Sequence, residues 1–255
     1  MTAGGALLVL LHGLGGNRAV WDPLIRLLPG SPVGAPPKAT AARGPGWLAL
    51  DLPGHGAAAP LPAYTYRACA EAVAAAIPGH ADVTVLGHSF GGVVGLALAA
   101  LRPVRSVVTV GMRAQWPAEF VATLAGLAAK PPRQFDTREQ AAAFLLRINA
   151  LDGLLGPDSG FARHGTAADT AEGWGLRNDP RTYGIGAPPF DDLLAAAGDA
   201  GTTMTLAHGE TDPMVAIGDY DELAARHGAR IAVLPGLGHN AHVQDPAAVL
   251  GLLRT

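Results

Sequence analysis

Ser89, Asp212 and His239 are the three side chains in this sequence whose types could carry out acyl transfer together. A hydroxyl attacks a carbonyl, an imidazole takes its proton, and a carboxylate fixes the tautomer and steadies the imidazolium. The serine lies in Gly87-His88-Ser89-Phe90-Gly91, between an apolar run at 83–86 and a small-residue helical pattern at 92–101. G-x-S-x-G carries meaning in that strand-to-helix setting, where the serine sits in a strained backbone with its hydroxyl exposed. Close packing around so tight a turn demands tiny residues two before and two after it, hence Gly87 and Gly91. The N-terminus of the following helix favours negative charge developing on whatever bonds to the serine.

Asp212 and His239 also follow strand-like runs, at 202–207 and 230–234. In open parallel sheets the loops at the carboxyl ends of the strands share one rim, where ligands bind. Three residues far apart in sequence can therefore converge. Their order, Ser then Asp then His, is the one expected when the serine occupies this turn. Glu210 competes with Asp212 for the acid role, and His242 competes with His239 for the base. A further apolar run at 6–11 leads into His12-Gly13-Leu14-Gly15-Gly16, a loop suited to presenting a backbone N–H to a carbonyl oxygen. It lacks the G-x-G-x-x-G and GK[ST] patterns of phosphate loops. His12, His55 and His88 are read as structural.

These loops need a scaffold. Strand-like runs at 6–11, 47–50, 83–86, 105–110, 202–207 and 230–234 alternate with helical stretches at 19–28, 66–77 and 92–101. That alternation predicts a mostly parallel sheet of about six strands flanked by helices, an α/β fold. The rhythm breaks at Gly111. Residues 112–200 show helical stretches at 118–129 and 138–151 and no convincing strand, so they read as a helical insertion, with 1–111 and 201–255 forming the core. Asp245-Pro246 opens the last helix with a cap and a first-turn proline. Residues 31–46 are rich in proline and glycine and read as a surface loop.

Composition narrows the function classes. The 255 residues are 49% hydrophobic and 15% charged, enough for one large α/β domain with a sizeable core. The net charge is −3 and no basic run occurs, which argues against nucleic acid as a partner. The apolar run at 6–11 is too short for a signal peptide or membrane span, and the single cysteine, Cys69, allows no internal disulfide. A cytoplasmic protein, monomeric or homodimeric, acting on a small molecule without membrane contact, is the expectation.

LHGLGG at 11–16, DLPGHG at 51–56, GHSFGG at 87–92, GETDP at 209–213 and GLGHNAHVQDP at 236–246 resemble the blocks of the α/β-hydrolase superfamily, in order and over nearly the whole chain. The resemblance is to its serine-nucleophile branch with an inserted helical cap. It implies Ser89 as nucleophile, His239 as general base and Asp212 as its orienting acid. The backbone N–H groups of Leu14 and Phe90 then form the oxyanion hole, and no metal or organic cofactor takes part. Gly13 and Trp116 are candidates for the substrate pocket. The chain departs from the pattern in three places. Only residues 1–5 precede the first strand, so the usual N-terminal hairpin is missing. Ala57-Ala58-Ala59 stands where a serine is common, and the 31–46 loop is long. A serine at the turn argues against the epoxide and halide chemistries of relatives with aspartate there. Val93, in place of an arginine, argues against pyruvate elimination. The implied activity is hydrolysis of a small or medium ester, lactone or thioester through an acyl-enzyme. The alternatives are a C–C hydrolase, lyase or cyclase on the same three residues, or a non-catalytic binding protein.

Overall fold

A computed structural model of the chain describes residues 6–29, 46–79, 82–169 and 173–254. In chain order the strands are β1 (Ala6–Leu11), β2 (Gly46–Leu50), β3 (Asp82–His88), β4 (Ser106–Val110), β5 (Gln134–Phe135), β6 (Thr166–Asp169), β7 (Gly173–Leu176), β8 (Thr203–Gly209) and β9 (Arg230–Leu234). The helices are α1 (Asp22–Ile25), α2 (Tyr66–Ala76), α3 (Phe90–Ala99), α4 (Ala118–Ala128), α5 (Arg138–Ile148), α6 (Gly160–Gly165), α7 (Phe190–Asp199), α8 (Asp221–His227), α9 (Ala241–Gln244) and α10 (Pro246–Gly251). The loop read at 31–46 lies outside the described residues except for Gly46, which opens β2.

Six strands form one sheet in the order β2-β1-β3-β4-β8-β9, every pair parallel. The register is set at its centre, where Val85 of β3 faces Val9 of β1 and Val107 of β4. Successive strand residues point to opposite faces, and the core divides accordingly. Val9, Val85 and Val107 pack on one face with Cys69, Val94 and Leu194 of α2, α3 and α7. Leu10, Leu86 and Val108 pack on the other with Trp21, Leu24, Leu145, Phe161 and Val249. Buried strands apolar on both faces are what a two-sided parallel sheet requires. Cys69 is buried, and burial pushes its thiol up to about 11, far from a nucleophilic thiolate.

Two expectations need correction. The helix read at 19–28 is a 3-10 turn, Arg18–Trp21, followed by the four-residue α1. Pro23 lacks the N–H that a continuous helix would use there, so a new turn starts instead. Residues 112–200 also contain strands. β5, β7 and β6 form a small antiparallel sheet in which Trp174 faces both Phe135 and Ala168. β5 is only two residues long, and the four-residue β6 and β7 are rich in alanine and glycine, so none is long enough or β-forming enough to show alternation. The last helix of the segment, α7, packs against α3 in the layer flanking the large sheet.

Candidate active site

β3 ends at His88 and α3 begins at Phe90, so Ser89 occupies the turn between them. Its backbone has φ 48 and ψ −116. Ser89 and Ala150 are the non-glycine residues with positive φ among those described. Such strain costs about 1–3 kcal/mol and persists where surrounding packing enforces it. Here the packing can be named. A Cβ on Gly87 would stand 2.5 Å from the Gly91 carbonyl, and one on Gly91 would collide with the Leu11 carbonyl. The Ser89 N–H is held by the Val110 carbonyl at 2.8 Å.

Asp212 and His239 meet at the same rim. The Asp212 carboxylate lies 3.0 and 3.2 Å from His239 Nδ1, and its side chain is fully buried. Asp212 Oδ1 also accepts the Met214 N–H at 2.8 Å. Gly111 makes room for the pair. Its φ is +66, and a Cβ there would press on both Asp212 Oδ2 and His239 Nδ1 at 3.1 Å. Ser89 and His239 line one cavity of about 520 Å³. Among the described residues no hydrogen bond joins Ser89 to His239.

The rivals are placed elsewhere. Glu210 accepts the Gly236 N–H at 2.8 Å on the surface. His242 is fully buried, stacked against Trp21 and His88, and neither ring nitrogen has a partner among the described residues. Burial, then the neighbouring His239, pushes it down to about 3, so it stays neutral.

The loop after β1 is held by two buried imidazoles, each in a defined tautomer. His12 Nε2 accepts the Leu52 N–H at 2.9 Å, so the His12 proton is on Nδ1 and is donated to the Gly13 carbonyl at 2.8 Å. The Gly16 N–H binds that carbonyl too. In a trans peptide the next N–H, that of Leu14, points the opposite way. It makes no hydrogen bond to a described residue, nor does the Phe90 N–H, and both residues line the cavity. His55 Nε2 accepts from Gly15 N–H and Nδ1 donates to the Pro53 carbonyl, each at 3.0 Å. Burial lowers both histidines, His12 to about 3, so neither carries charge. Burial alone would raise Asp51, but the N–H groups of Arg18 and Ala57 and the side chain of His164 outweigh it and hold the carboxyl low. The DLPGHG block is thus a brace for the loop.

His88 braces the other side. Its Nε2 donates to the His239 carbonyl at 3.0 Å, and burial holds it well below the ordinary range. Gly13 lies against it, since a Cβ there would come 2.8 Å from His88 Nδ1. Trp116 lines the cavity, its indole N–H bound by the Arg113 carbonyl and its ring edge-on to Phe120. Two supporting residues escaped the sequence reading. Asn240 donates from its amide to the carbonyls of Asn149 and Ala150, both at 2.9 Å, and the Asn149 amide reaches Gly15 O at 3.3 Å. The end of α5 therefore ties the His239 loop to the His12 loop. An asparagine directly after His239 was the only signal. Among the described residues no three His, Cys, Asp or Glu side chains gather as a metal site would need.

A six-stranded parallel sheet with a strained serine between strand and helix, and a buried Asp–His pair beside it, defines an α/β protein of the nucleophile-turn class. The particular family follows from comparison: the chain belongs to the α/β-hydrolase family, whose model matches residues 8–252. It is 43% identical over 95 residues to a pimeloyl-[acyl-carrier protein] methyl ester esterase of Neisseria meningitidis, a match spanning 37% of this chain and 25% of that relative's length. An enzyme of the same name from Aromatoleum aromaticum is 31% identical over 262 residues, 94% of this chain and 93% of that one. The fold resembles that of a Mycobacterium tuberculosis esterase at a TM-score of 0.76, with 23% identity, covering 99% of this chain and 84% of the other.

Proposed function

We propose that the protein is a serine hydrolase that cleaves a small or medium carboxylic ester, lactone or thioester through an acyl-enzyme. The observation that carries this is the buried Asp212–His239 pair opening onto the same cavity as the strained Ser89. Relatives with esterase names support the class of reaction.

In this reading His239 Nε2 removes the Ser89 proton as Oγ attacks the carbonyl carbon. Asp212, fixed on Nδ1, keeps Nε2 free to accept and stabilises the imidazolium. Ligand-free enzymes often hold such a serine–histidine contact long, and it tightens with substrate. The N–H groups of Leu14 and Phe90 bind the oxyanion, each contributing ~3–4 kcal/mol in the transition state. His239 then protonates the leaving group, and water releases the acid by the same steps. The insertion read at 112–200 acts as a cap over the cavity, with Trp116 as one wall. Gly13 lines the cavity and has no side chain of its own to block the substrate carbonyl.

A cytoplasmic location belongs to the same proposal. It rests on the single buried thiol; in addition, no helix among the described residues is long and apolar enough to cross a membrane. The test of the function is hydrolysis of p-nitrophenyl esters by the protein and by Ser89→Ala. Loss of turnover supports the reading, and full retention refutes it.

A further inference from the structure

One wall of the cavity is built by α4 and the residues at its two ends. Phe120, Leu124 and Leu127 line the cavity from α4. Their spacing of four and three puts them on one stripe of the helix. Arg113 precedes that stripe, and Lys130 and Arg133 follow it; all three line the same cavity. Gly111 touches the Asp212–His239 pair, and two residues span at most about 7 Å, so Arg113 starts near the reacting end. An eleven-residue helix such as α4 is about 16 Å long, so Lys130 and Arg133 stand at the other end of this helix from Arg113.

Among the described residues, Arg113, Lys130 and Arg133 form no ion pair, as is also true of Arg26, Arg102, Arg147, Arg163, Arg177, Arg230 and Arg254. Of these, Arg113, Lys130 and Arg133 are the ones that line the cavity. The cavity lining includes no Asp or Glu. Two of the three are steadied by aromatic faces instead. The Arg113 guanidinium lies 4.3 Å from the Phe120 centroid, and that of Arg133 lies 4.7 Å from Phe144, itself a lining residue. Stacking fixes the plane of a guanidinium and leaves its edge N–H groups free for a carboxylate or phosphate.

We infer that the substrate is amphipathic: an ester or thioester whose apolar chain runs along Phe120, Leu124 and Leu127 and carries an anionic group, carboxylate or phosphate, held by Lys130 and Arg133. The inference rests on the hydrolase reading above and adds a charge requirement to it. A wholly neutral ester fills the apolar stripe and leaves Lys130 and Arg133 unpaired.

The experiment compares three substrates of similar chain length. p-Nitrophenyl octanoate is neutral. The mono-p-nitrophenyl ester of octanedioic acid carries a carboxylate on the acyl end. Octanoyl-coenzyme A carries phosphates on the leaving side. The wild-type protein is expected to show a lower KM for at least one anionic substrate than for the neutral ester. Lys130→Gln combined with Arg133→Gln is expected to reduce that preference by about tenfold, two exposed pairs' worth. Raising ionic strength on the unmutated protein is expected to erode the same preference, a readout independent of the variant's folding. The anionic substrate that responds identifies which end carries the charge. The inference is overturned if the wild type shows no anionic preference, or if the preference survives both the double variant and salt. Ser89→Ala separates the two levels. Turnover of all three substrates without the serine hydroxyl defeats the hydrolase reading itself. Serine-dependent turnover blind to charge defeats only the present inference.

Discussion

Two apolar helices contribute to the cavity lining, and they are held in opposite ways. Every residue of α3 is buried, whereas α4 has no buried residue at all. α3 lies between the sheet and the helices α2 and α7, with glycines where backbone must touch backbone. α4 packs chiefly on the 3-10 turn Pro180–Ile185 and leaves Leu127 40% exposed. The difference separates two tasks. In the proposed mechanism the reacting atoms must be fixed closely, and Ser89 directly precedes the helix whose position is most determined. In the proposed reading, a wall that recognises a chain gains from apolar surface left for the substrate to cover, and α4 presents such surface.

Several measurements can break or sharpen this contrast, and the largest effect belongs to the reacting atoms. Ser89→Ala is expected to lower kcat/KM for a p-nitrophenyl ester by about 10⁴-fold or more, with Asp212→Asn causing a loss of similar order. Next comes the packing that holds the serine. Gly91→Ala places a methyl against the Leu11 backbone and is expected to cost about 3 kcal/mol or more in a denaturant titration. A neutral result would show that α3 is less constrained than its packing implies.

The buried side also has an acid sensitivity that α4 lacks. His12 and His242 are both held at about 3 in the folded chain, against roughly 6.5 when unfolded. Between those values the unfolded chain binds more protons, so stability is full above about pH 6.5 and falls as the solution is acidified. His242→Leu removes one such group and leaves no hydrogen bond broken, because neither ring nitrogen had a partner among the described residues. Its stability at pH 7 should be equal or higher. Its loss between roughly pH 6 and 4 should be gentler by about 1.4 kcal/mol per pH unit. Urea midpoints across that range decide it, and parallel curves for the two proteins would contradict the assignment. The smallest effect is expected on α4. Gly126 of α4 has nothing within 4 Å of an added Cβ, so Gly126→Ala should stabilise the protein by about 0.4–1 kcal/mol. The same substitution thus has opposite signs on the two helices.

The legibility of the sequence follows the same division. β3, Ser89 and α3 were readable because a strained turn in a tight setting admits few residues, and Gly87 and Gly91 record the clearances. The six parallel strands were readable because burial on both faces leaves continuous apolar runs. The Asp212–His239 contact could be anticipated from the strand-end rule, but excluding Glu210 and His242 needed geometry. The strands β5, β6 and β7 were invisible, being brief and poor in β-branched residues. The tie from Asn240 to Asn149 and Ala150 joins segments some ninety residues apart, and nothing local announces it. That Arg113, Lys130 and Arg133 share one cavity could be seen only once the chain was folded, because nothing in their spacing marks a common site.

The most direct test of the central claim is covalent labelling with a fluorophosphonate, followed by peptide mapping by mass spectrometry. The account predicts a single adduct on Ser89, formed slowly in Asp212→Asn and not at all in Ser89→Ala. An adduct on another residue, or undiminished labelling of Ser89→Ala, would contradict it.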